Sequence, residues 1–425
     1  MASARELLAK TKADVLAARI AGLSFDDKGW LGAARSAAFA RLNAMGLPVK
    51  RDEYWRYTDP STLTSAAVKA AAIAPQEAAF AEIETLKIVF NDGIFDEAAS
   101  GDLAVEGLEI ELLTQAALTE GHWAKDLYGA LEANGQTPVE RPLAAFNTAF
   151  ATNGLIIRAK GVASKAIELI YNQKSETSDA ILHHVVKAEE GASVTILESG
   201  AGAARFNSVL EVEIADRGAF HHIRTQGRDQ ERRSTTHLFT RLGEESLFKS
   251  FTLTANGRLT RNETVIEFAG NDAKAHVAGA CIAEKDFHHD DTVFITHNAV
   301  NCESRQVFKK VLKSGAIGVF QGKILVKQIA QKTDGYQISQ ALLLDDDSQF
   351  LCKPELEIYA DDVKCSHGST SGAIDETALF YLQSRGVPRA VAQSLLVQAF
   401  LAEAIDEIAD EAIAGDIQAR LEAWL

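Results

Sequence analysis

The centre of this chain is a long series of strand-like segments with no helical pattern between them. Beyond Gly154 the sequence breaks into brief runs of Val, Ile, Leu, Phe and Thr, separated by Gly, Asp and Asn. Runs of this kind predict β-strands, so the central part of the chain is predicted to be all β. The clearest runs are Val194 to Leu197, Val209 to Ile214, Leu247 to Leu253, Val265 to Phe268, Val293 to Thr296, Ile324 to Ile329 and Leu356 to Tyr359.

A faint internal repeat favours one all-β form over another. Small or acidic turn pairs recur every 27 residues, and a strand-like run follows each of them: Gly191-Ala192, Gly218-Ala219, Glu245-Ser246 and Asp272-Ala273. A fixed period is typical of stacked repeats, in which each coil covers the apolar face of the next. The repeat therefore favours a β-solenoid over a sandwich. Its register is lost after Asp272, and chance matches of turn residues are the alternative explanation.

The N-terminal part of the chain has a helical pattern. From Ala4 to about Leu42 apolar residues recur at helical intervals, which predicts two or three helices. A polar and aromatic connector follows from Arg51 to Pro60. A short Ala-rich stretch, also predicted to be helical, then leads to the first strand-like run, Leu86 to Phe90.

Helical patterns return at the C-terminal end. One helix is predicted from Asp375 to Ser384, ended by Gly386, and the next begins at Pro388. The second helix has an apolar side that predicts docking on the domain body or on a partner. That side consists of Val391, Leu395, Leu396, Ala399, Phe400, Ala404 and Ile408.

Length and composition limit the architecture and the partners. With 425 residues, 47% of them hydrophobic, the chain is predicted to be a soluble globular protein with two or three domains, or one solenoid with attachments. We divide it into an N-terminal helical domain (1–85), a β region dominated by a solenoid (86–370) and a C-terminal helical domain (371–425). The net charge of −16 argues against nucleic acid as a partner. No apolar run reaches 18 residues, so no membrane span is expected.

Cysteine usage and the N-terminal sequence predict the compartment. The four cysteines, Cys281, Cys302, Cys352 and Cys365, show no disulfide-framework spacing, which is typical of a reducing compartment. The first residues lack the unbroken apolar region of a secretory signal. We therefore expect a cytoplasmic protein, in which Cys281 and Cys302 are small apolar fillers.

The segment from Asp361 to Gly368 contains a thiol and an imidazole two residues apart, Cys365 and His367. Both a thiol and an imidazole are soft enough to bind iron or zinc. In an extended strand, residues two apart point the same way about 6 to 7 Å apart. A structural zinc or an iron-sulfur cluster usually takes four donors. Two donors therefore need others from elsewhere, such as another chain, unless the pair is simply buried.

Other candidate sites are weaker. The histidine doublets at 183–184, 221–222 and 288–289 cannot chelate one ion, because neighbouring residues of a strand point to opposite faces. His288 with Asp290, or His289 with Asp291, could share a face, but we expect solvated rim residues there. The segment 318–324 lacks the glycine spacing and the hydroxyl residue of a phosphate-binding loop.

A set of motifs in a fixed order identifies a family resemblance. The motifs are Trp55-Arg56-Tyr57-Thr58, Ser304-Arg305-Gln306, Gly318-Val319-Phe320-Gln321-Gly322-Lys323-Ile324, Gln331-Lys332-Thr333-Asp334, Lys353-Pro354-Glu355-Leu356-Glu357-Ile358, Asp361 to Gly368, and Phe380-Tyr381-Leu382-Gln383-Ser384-Arg385-Gly386. With them the chain resembles the SufB/SufD family of iron-sulfur cluster assembly scaffolds. It is more similar to the SufD branch, through its Val-Lys-Cys-Ser-His-Gly run. Cys352, Ser369 and Ser371 depart from the expected pattern, and Cys352 leaves the role of an extra thiol open.

The resemblance implies a right-handed parallel β-helix flanked by helical domains. It also implies a complex with SufB, paired through the β-helices, and with the ATPase SufC, docked on the C-terminal helices. Cys365 and His367 match the residues that face the nascent, transient iron-sulfur cluster at the seam with SufB. The ATPase-docking residues implied are Phe380, Tyr381, Leu395, Leu396 and Phe400. Nucleotide binding is then delegated to SufC, while flavin binding and a homodimer of the isolated chain stay open.

Three functional hypotheses follow from these observations. The first is a non-enzymatic SufD-like assembly subunit that contributes cluster ligands. The second is a stand-alone carbohydrate-active enzyme on a β-helix, with Asp290 and Asp291, or Asp345-Asp346-Asp347, as its acids. The third is a purely structural subunit of the same complex, which differs from the first only at His367.

Overall fold

A computed structural model describes residues 4–24, 28–75, 77–227, 229 and 231–425 of the chain. The α-helices are Ala4–Ile20 (α1), Gly29–Met45 (α2), Ser61–Thr64 (α3), Leu113–Ala116 (α4), Ala130–Asn134 (α5), Pro142–Phe150 (α6), Glu376–Ser384 (α7), Arg389–Ile405 (α8) and Glu411–Trp424 (α9). Two short 3-10 helices cover Glu53–Trp55 and Trp123–Asp126. None of the helices in the described part of the chain is long and apolar enough to cross a membrane.

Strands dominate the centre of the molecule, as the sequence predicted. They are Thr85–Asn91 (β1), Ile94–Asp96 (β2), Leu108–Leu112 (β3), Leu155–Ala159 (β4), Ala166–Asn172 (β5), Asp179–Ala188 (β6), Ser193–Ser199 (β7), Arg205–Ile214 (β8), Ala219–Gln226 (β9), Arg233–Leu242 (β10), Leu247–Ala255 (β11), Leu259–Phe268 (β12), Lys274–Glu284 (β13), His288–His297 (β14), Glu303–Lys313 (β15), Ile317–Val326 (β16), Thr333–Leu343 (β17), Gln349–Ile358 (β18) and Val363–Gly372 (β19).

Successive strands alternate between two parallel sheets and so wind into a solenoid. Sheet A has the order β19-β17-β15-β13-β11-β9-β7-β5-β1-β2, and sheet B has the order β18-β16-β14-β12-β10-β8-β6-β4-β3. From β6 onward each strand pairs in parallel with the strand two places before it. The predicted parallel β-solenoid is confirmed, with about seven turns and helices at both ends.

The faint sequence repeat corresponds to one coil of this solenoid. Gly191, Arg217, Glu245 and Asp272 occupy equivalent turns before odd-numbered strands, with φ between 54° and 67°. Each donates its backbone N–H to a carbonyl of the next coil, over 2.7 to 3.0 Å. The series continues at Asn301 and Lys332, but at intervals of 29 and 31 residues. The repeat was therefore not a chance match, and its register was lost because later coils are longer.

The N-terminal region covers the outer face of sheet B. Trp55 is buried there with the Arg261 guanidinium 4.0 Å from its ring centre. The Thr58 hydroxyl donates to Asp290 of β14 over 2.5 Å. The Ala-rich stretch between α3 and β1 was wrongly predicted to be helical. Its described residues form no helix and are held by backbone contacts such as Ala71 N–H to the Glu176 carbonyl, 2.8 Å.

Helices α8 and α9 cover the outer face of sheet A. The side of α8 that packs on the sheet consists of Val397, Leu401, Ala404 and Ile405. Lys309 of β15 pairs with Glu403, and Arg305 pairs with Glu407. Two residues of the apolar side predicted for this helix, Val391 and Leu395, are 50% and 44% exposed and do not pack on the sheet, so docking on a partner stays a prediction for them. Each sheet thus has a helical layer on its outer face.

Candidate functional site

Cys365 and His367 lie on β19, the last strand of sheet A. We call β18 and β19 the terminal coil, since no later strand of the described chain pairs with either of them. Cys365 pairs in register with Gly335, and its side chain packs with Ile324 and Leu356 of sheet B. Cys365 therefore points inward, and His367, two residues on, belongs to the same face. The two donors form one row along the open inner face of the terminal coil.

Cys365 and His367 differ in how far they are exposed to solvent. All eleven histidines of the chain are described, and His367 alone among them is exposed. Cys365 is half-buried, and glycine at position 335 leaves space for it, since a Cβ there would lie 3.2 Å from Sγ. Burial raises the pKa of the Cys365 thiol, so the thiol keeps its proton at neutral pH until a metal ion displaces it.

Cys352 of β18 borders the same open end. Its Sγ lies 3.1 Å from the Ser339 hydroxyl, which donates to the Ser369 hydroxyl over 3.2 Å. Ser369 is two residues beyond His367, on the same face of β19. Among the described residues, no group of three or more His, Cys, Asp or Glu side chains is arranged to hold a metal ion. The terminal coil therefore presents donors without a closed site.

Two buried glutamines near this row were missed by the sequence reasoning. Gln306 and Gln337 occupy the positions directly before His367 in the strand register. Gln306 and Gln337 are 31 residues apart, and Gln337 and His367 are 30 apart, which matches the longer late coils rather than the 27-residue repeat. No signal in the sequence could have linked them to His367 before the coil lengths were known.

Two family models match the chain. The model described as SUF system FeS cluster assembly, SufBD core domain, matches residues 170–400, which include the whole terminal coil. A second, described as SufBD protein N-terminal region, matches residues 22–167. This chain belongs to the SufBD family.

Curated proteins from two bacteria and a plant are similar to this chain over half or more of its length. The iron-sulfur cluster assembly protein SufD of Escherichia coli (strain K12) is 28% identical over 392 residues, 90% of each chain. A SufBD family protein of Synechocystis sp. (strain PCC 6803) is 28% identical over 404 residues, 88% of this chain and 86% of its own. A chloroplastic protein of Arabidopsis thaliana is 29% identical over 239 residues, 54% of this chain and 49% of its own. The resemblance to SufD is thus confirmed.

The histidine doublets of this SufBD chain are structural. His183 bonds Glu211 over 2.8 Å on the outer side of sheet B, whereas His184 bonds the Tyr171 hydroxyl over 3.2 Å on the inner side. The two rings thus point to opposite faces, as predicted. Burial lowers the pKa of His184 to about 4, so the ring is neutral at pH 7.

The third doublet and its acids do not lie at a solvated rim, and that expectation was wrong. His289 and Asp291 are buried inside the solenoid, where both contact the Lys310 ammonium. Asp290 is buried on the outer face, where it accepts from Arg261. The two aspartates offered as an acid pair for a carbohydrate-active enzyme therefore lie on opposite faces of β14, each with its own cation.

Two further sequence motifs also have structural roles in this SufBD fold. Asp345 accepts backbone N–H groups from Asp347 and Ser348 over 3.2 and 2.9 Å, so it shapes a turn. Residues 318–324 lie within β16, paired on both sides in sheet B. A central strand has no free N–H groups to cradle a phosphate, which agrees with the rejection of a nucleotide loop there.

The C-terminal residues expected to dock an ATPase fall into two groups. Phe380 and Tyr381 of α7 are 72% and 55% exposed, and Leu395 of α8 is 44% exposed. Leu396 is half-buried. Phe400 packs towards sheet A, with the Lys309 ammonium 4.8 Å from its ring centre. The first group therefore consists of exposed, largely apolar side chains, whereas Phe400 packs between α8 and the solenoid.

Proposed function

We propose that the chain is the SufD-like subunit of an iron-sulfur cluster assembly complex, in which His367 and Cys365 hold part of a nascent cluster. The proposal is carried by one observation: a chain of the SufBD family has two soft donors on the open inner face of its last coil. The cluster is cargo here, bound for a time and then passed to another protein. The chain itself catalyses no reaction in this account.

A partner is needed because the site is incomplete. A cluster usually takes four protein donors, and β19 offers two. A SufB-like partner that docks its solenoid on the terminal coil would supply the other donors. It would also cover strands whose unpaired edges are open to water. A site divided between two chains can release its cargo when the seam between the chains opens.

His367 and Cys365 would bind the cluster reversibly. The neutral imidazole of His367 binds iron through one ring nitrogen. Cys365 must lose its proton to bind, because the thiolate is the ligand. Burial disfavours that charged form, so protonation of Cys365 competes with cluster binding and assists release.

The C-terminal helices connect a docked ATPase to the seam. A SufC-like subunit would bind the exposed Phe380, Tyr381 and Leu395, and so supply the nucleotide site. From α8, the Glu403–Lys309 ion pair reaches β15. Lys309 pairs in register with Gln340 of β17, which pairs with Thr370 of β19. A pull on α8 therefore has a short physical route to the donor strand.

Cluster reconstitution in the purified complex of this chain with its SufB-like and SufC-like partners tests the proposal. We expect His367→Ala to remove most of the cluster absorbance and bound iron. Ser366→Ala is the matched control, because Ser366 is exposed on the opposite face of the same strand. Its complex should carry a normal amount of cluster.

Two results would contradict the proposal, the first at the donor role of His367 and the second at the shared site. A full cluster in the His367→Ala complex would leave the chain as a structural subunit. In that case only a docking lesion such as Leu395→Asp would lower the cluster content. A full cluster on the isolated wild-type chain would show that no shared site is needed.

A further inference from the structure

One inward-facing column of side chains ends on His367. The strand register aligns Gln306 of β15 with Gln337 of β17, and Gln337 with His367 of β19. Neighbouring strands lie about 4.8 Å apart, so residues aligned in a parallel ladder stack side by side. The imidazole of His367 is therefore the next polar group along the column from the Gln337 amide.

Both glutamines are completely buried, at 0% exposure. Within the described part of the chain, neither Nε2 nor Oε1 of either residue has a hydrogen-bond partner. Buried amides in folded proteins nearly always have one, because an unpaired buried polar group costs free energy. The Gln337 amide can thus still donate and accept hydrogen bonds, and it lies beside the row formed by Cys365 and His367.

The backbone opposite Gln337 leaves a slot for its amide. A Cβ at position 322 of β16 would lie 2.5 Å from Gln337 Oε1 and 2.7 Å from Nε2, so a side chain there would displace the amide. Sheet B therefore leaves space for the Gln337 amide at this level of the solenoid.

We propose that Gln337 is a positioning residue for His367: its amide bonds one ring nitrogen and leaves the other directed at the cluster iron. The inference rests on the proposed function for the role of the second nitrogen. Metal-binding histidines typically use their other ring nitrogen in such a bond, which fixes the tautomer and the ring orientation. An amide can serve either tautomer, through its N–H or its carbonyl.

A neutral amide in this place suits a cargo site. Carboxylates that bond a histidine raise its basicity and strengthen its hold on the metal. The Gln337 amide carries no charge, so it orients the imidazole without that added strength. The imidazole of His367 is then oriented towards the cluster and can still release iron.

The tautomer of His367 in the full-length chain, labelled with ¹⁵N-histidine, tests the inference without partner or cluster. The His367 ring signals are identified by their loss in His367→Ala. We expect one dominant tautomer in the wild type. In Gln337→Met the two ring nitrogens should move towards each other in chemical shift, as in a freely exchanging ring. Gln306→Met, one coil deeper, is the matched control and should leave the signals unchanged.

Gly322→Ala provides a second variant that keeps the Gln337 amide but displaces it from its slot. It should shift the His367 signals in the same direction as Gln337→Met. Unchanged signals in both variants would overturn the positioning role. These measurements need no cluster, so the two proposals can fail separately. If Gln337→Met alters the tautomer but the His367→Ala complex still forms a normal cluster, only the donor role is refuted. If Gln337→Met leaves the tautomer unchanged but the His367→Ala complex loses its cluster, only the positioning role is refuted.

Discussion

The middle coils and the terminal coil of the solenoid differ in what covers them. Strands β12 and β14 are buried at most positions, because the N-terminal region packs on their outer face and neighbouring coils lie on either side. In β18 and β19, both fully described, no residue is buried. The same repeated structure is thus a closed core in one place and an open surface in the other. Such an open surface is where the proposed partner would dock.

Charged residues should show the largest difference in stability loss between a substitution in the middle coils and one in the terminal coil. Arg261 is buried between Glu263 and Asp290, with 2.7 Å from Nε to Glu263 Oε1. Replacing one partner of a buried ion pair leaves an uncompensated charge, so Arg261→Met should cost about 3–5 kcal/mol of unfolding free energy. Lys364→Met, at an exposed position of β19, should change stability by about 0.5 kcal/mol or less. Urea denaturation of both variants measures the contrast, and equal losses would refute it.

A matched apolar pair on the inner face of sheet B sharpens the comparison. Ile266 of β12 is fully buried in the solenoid core, whereas Leu356 of β18 is half-buried. We expect Ile266→Ala to lower the unfolding free energy by about 2–5 kcal/mol. Leu356→Ala should cost roughly 1 kcal/mol, in proportion to its smaller burial. The Leu356→Ala cost should rise when a partner covers the terminal coil, and an unchanged cost in the complex would count against docking there.

A carboxylate that contacts the middle coils and one in the terminal coil should differ in their effect on stability at low pH. Burial opposes ionisation of Glu407, but hydrogen bonds from His276 and Arg305 outweigh it and lower the pKa to about 2. A lowered carboxyl pKa stabilises the folded state above its ordinary value of 4.5, and that stability is lost as the pH falls towards 2. Glu407→Gln should therefore reduce the difference in urea midpoint between pH 5 and pH 3.

Glu357 of the terminal coil is the control for this pH effect. Its pKa is also lowered, by hydrogen bonds from Lys323 and Tyr359, but the side chain is solvated. Water screens such surface pairs, so Glu357→Gln should leave the pH dependence of the midpoint nearly unchanged. A larger effect from Glu357 than from Glu407 would contradict the view that the contacts of Glu407 with the middle coils control acid stability.

The smallest effect is expected at Cys352. Its half-buried thiol lies beside the Ser339 hydroxyl, and a serine in its place could make the same contact. Cys352→Ser should change the unfolding free energy by about 0.5 kcal/mol or less and keep the cluster content of the complex. Cys365→Ser should lower that content. Iron analysis of the two complexes compares them, and an equal loss would make Cys352 a third donor.

Much of the fold was predictable because solenoid strands depend on local apolar runs. Val194 to Leu197 lies in β7 and Val265 to Phe268 in β12, as expected. The Ala-rich stretch before β1 was not predictable in this way. Alanine favours helix, but there the backbone bonds Glu176 of a neighbouring loop, and tertiary contacts override propensity.

The site was only partly predictable. The spacing of Cys365 and His367 places both on one face of any strand, and that holds in β19. Sequence alone could not distinguish the exposed His367 from buried histidines such as His222, because burial depends on which coil is last. The alignment with Gln337 depends on the exact lengths of the late coils, which vary from one coil to the next.

The claim that His367 of the terminal coil binds the nascent cluster can be tested by pulsed electron paramagnetic resonance. The complex would contain a reduced, paramagnetic cluster and ¹⁵N-histidine in this chain alone. The account predicts a strong coupling to one histidine nitrogen, present in the wild type and in Ser366→Ala and lost in His367→Ala. A cluster without any histidine coupling from this chain, identical in wild type and His367→Ala, would contradict it.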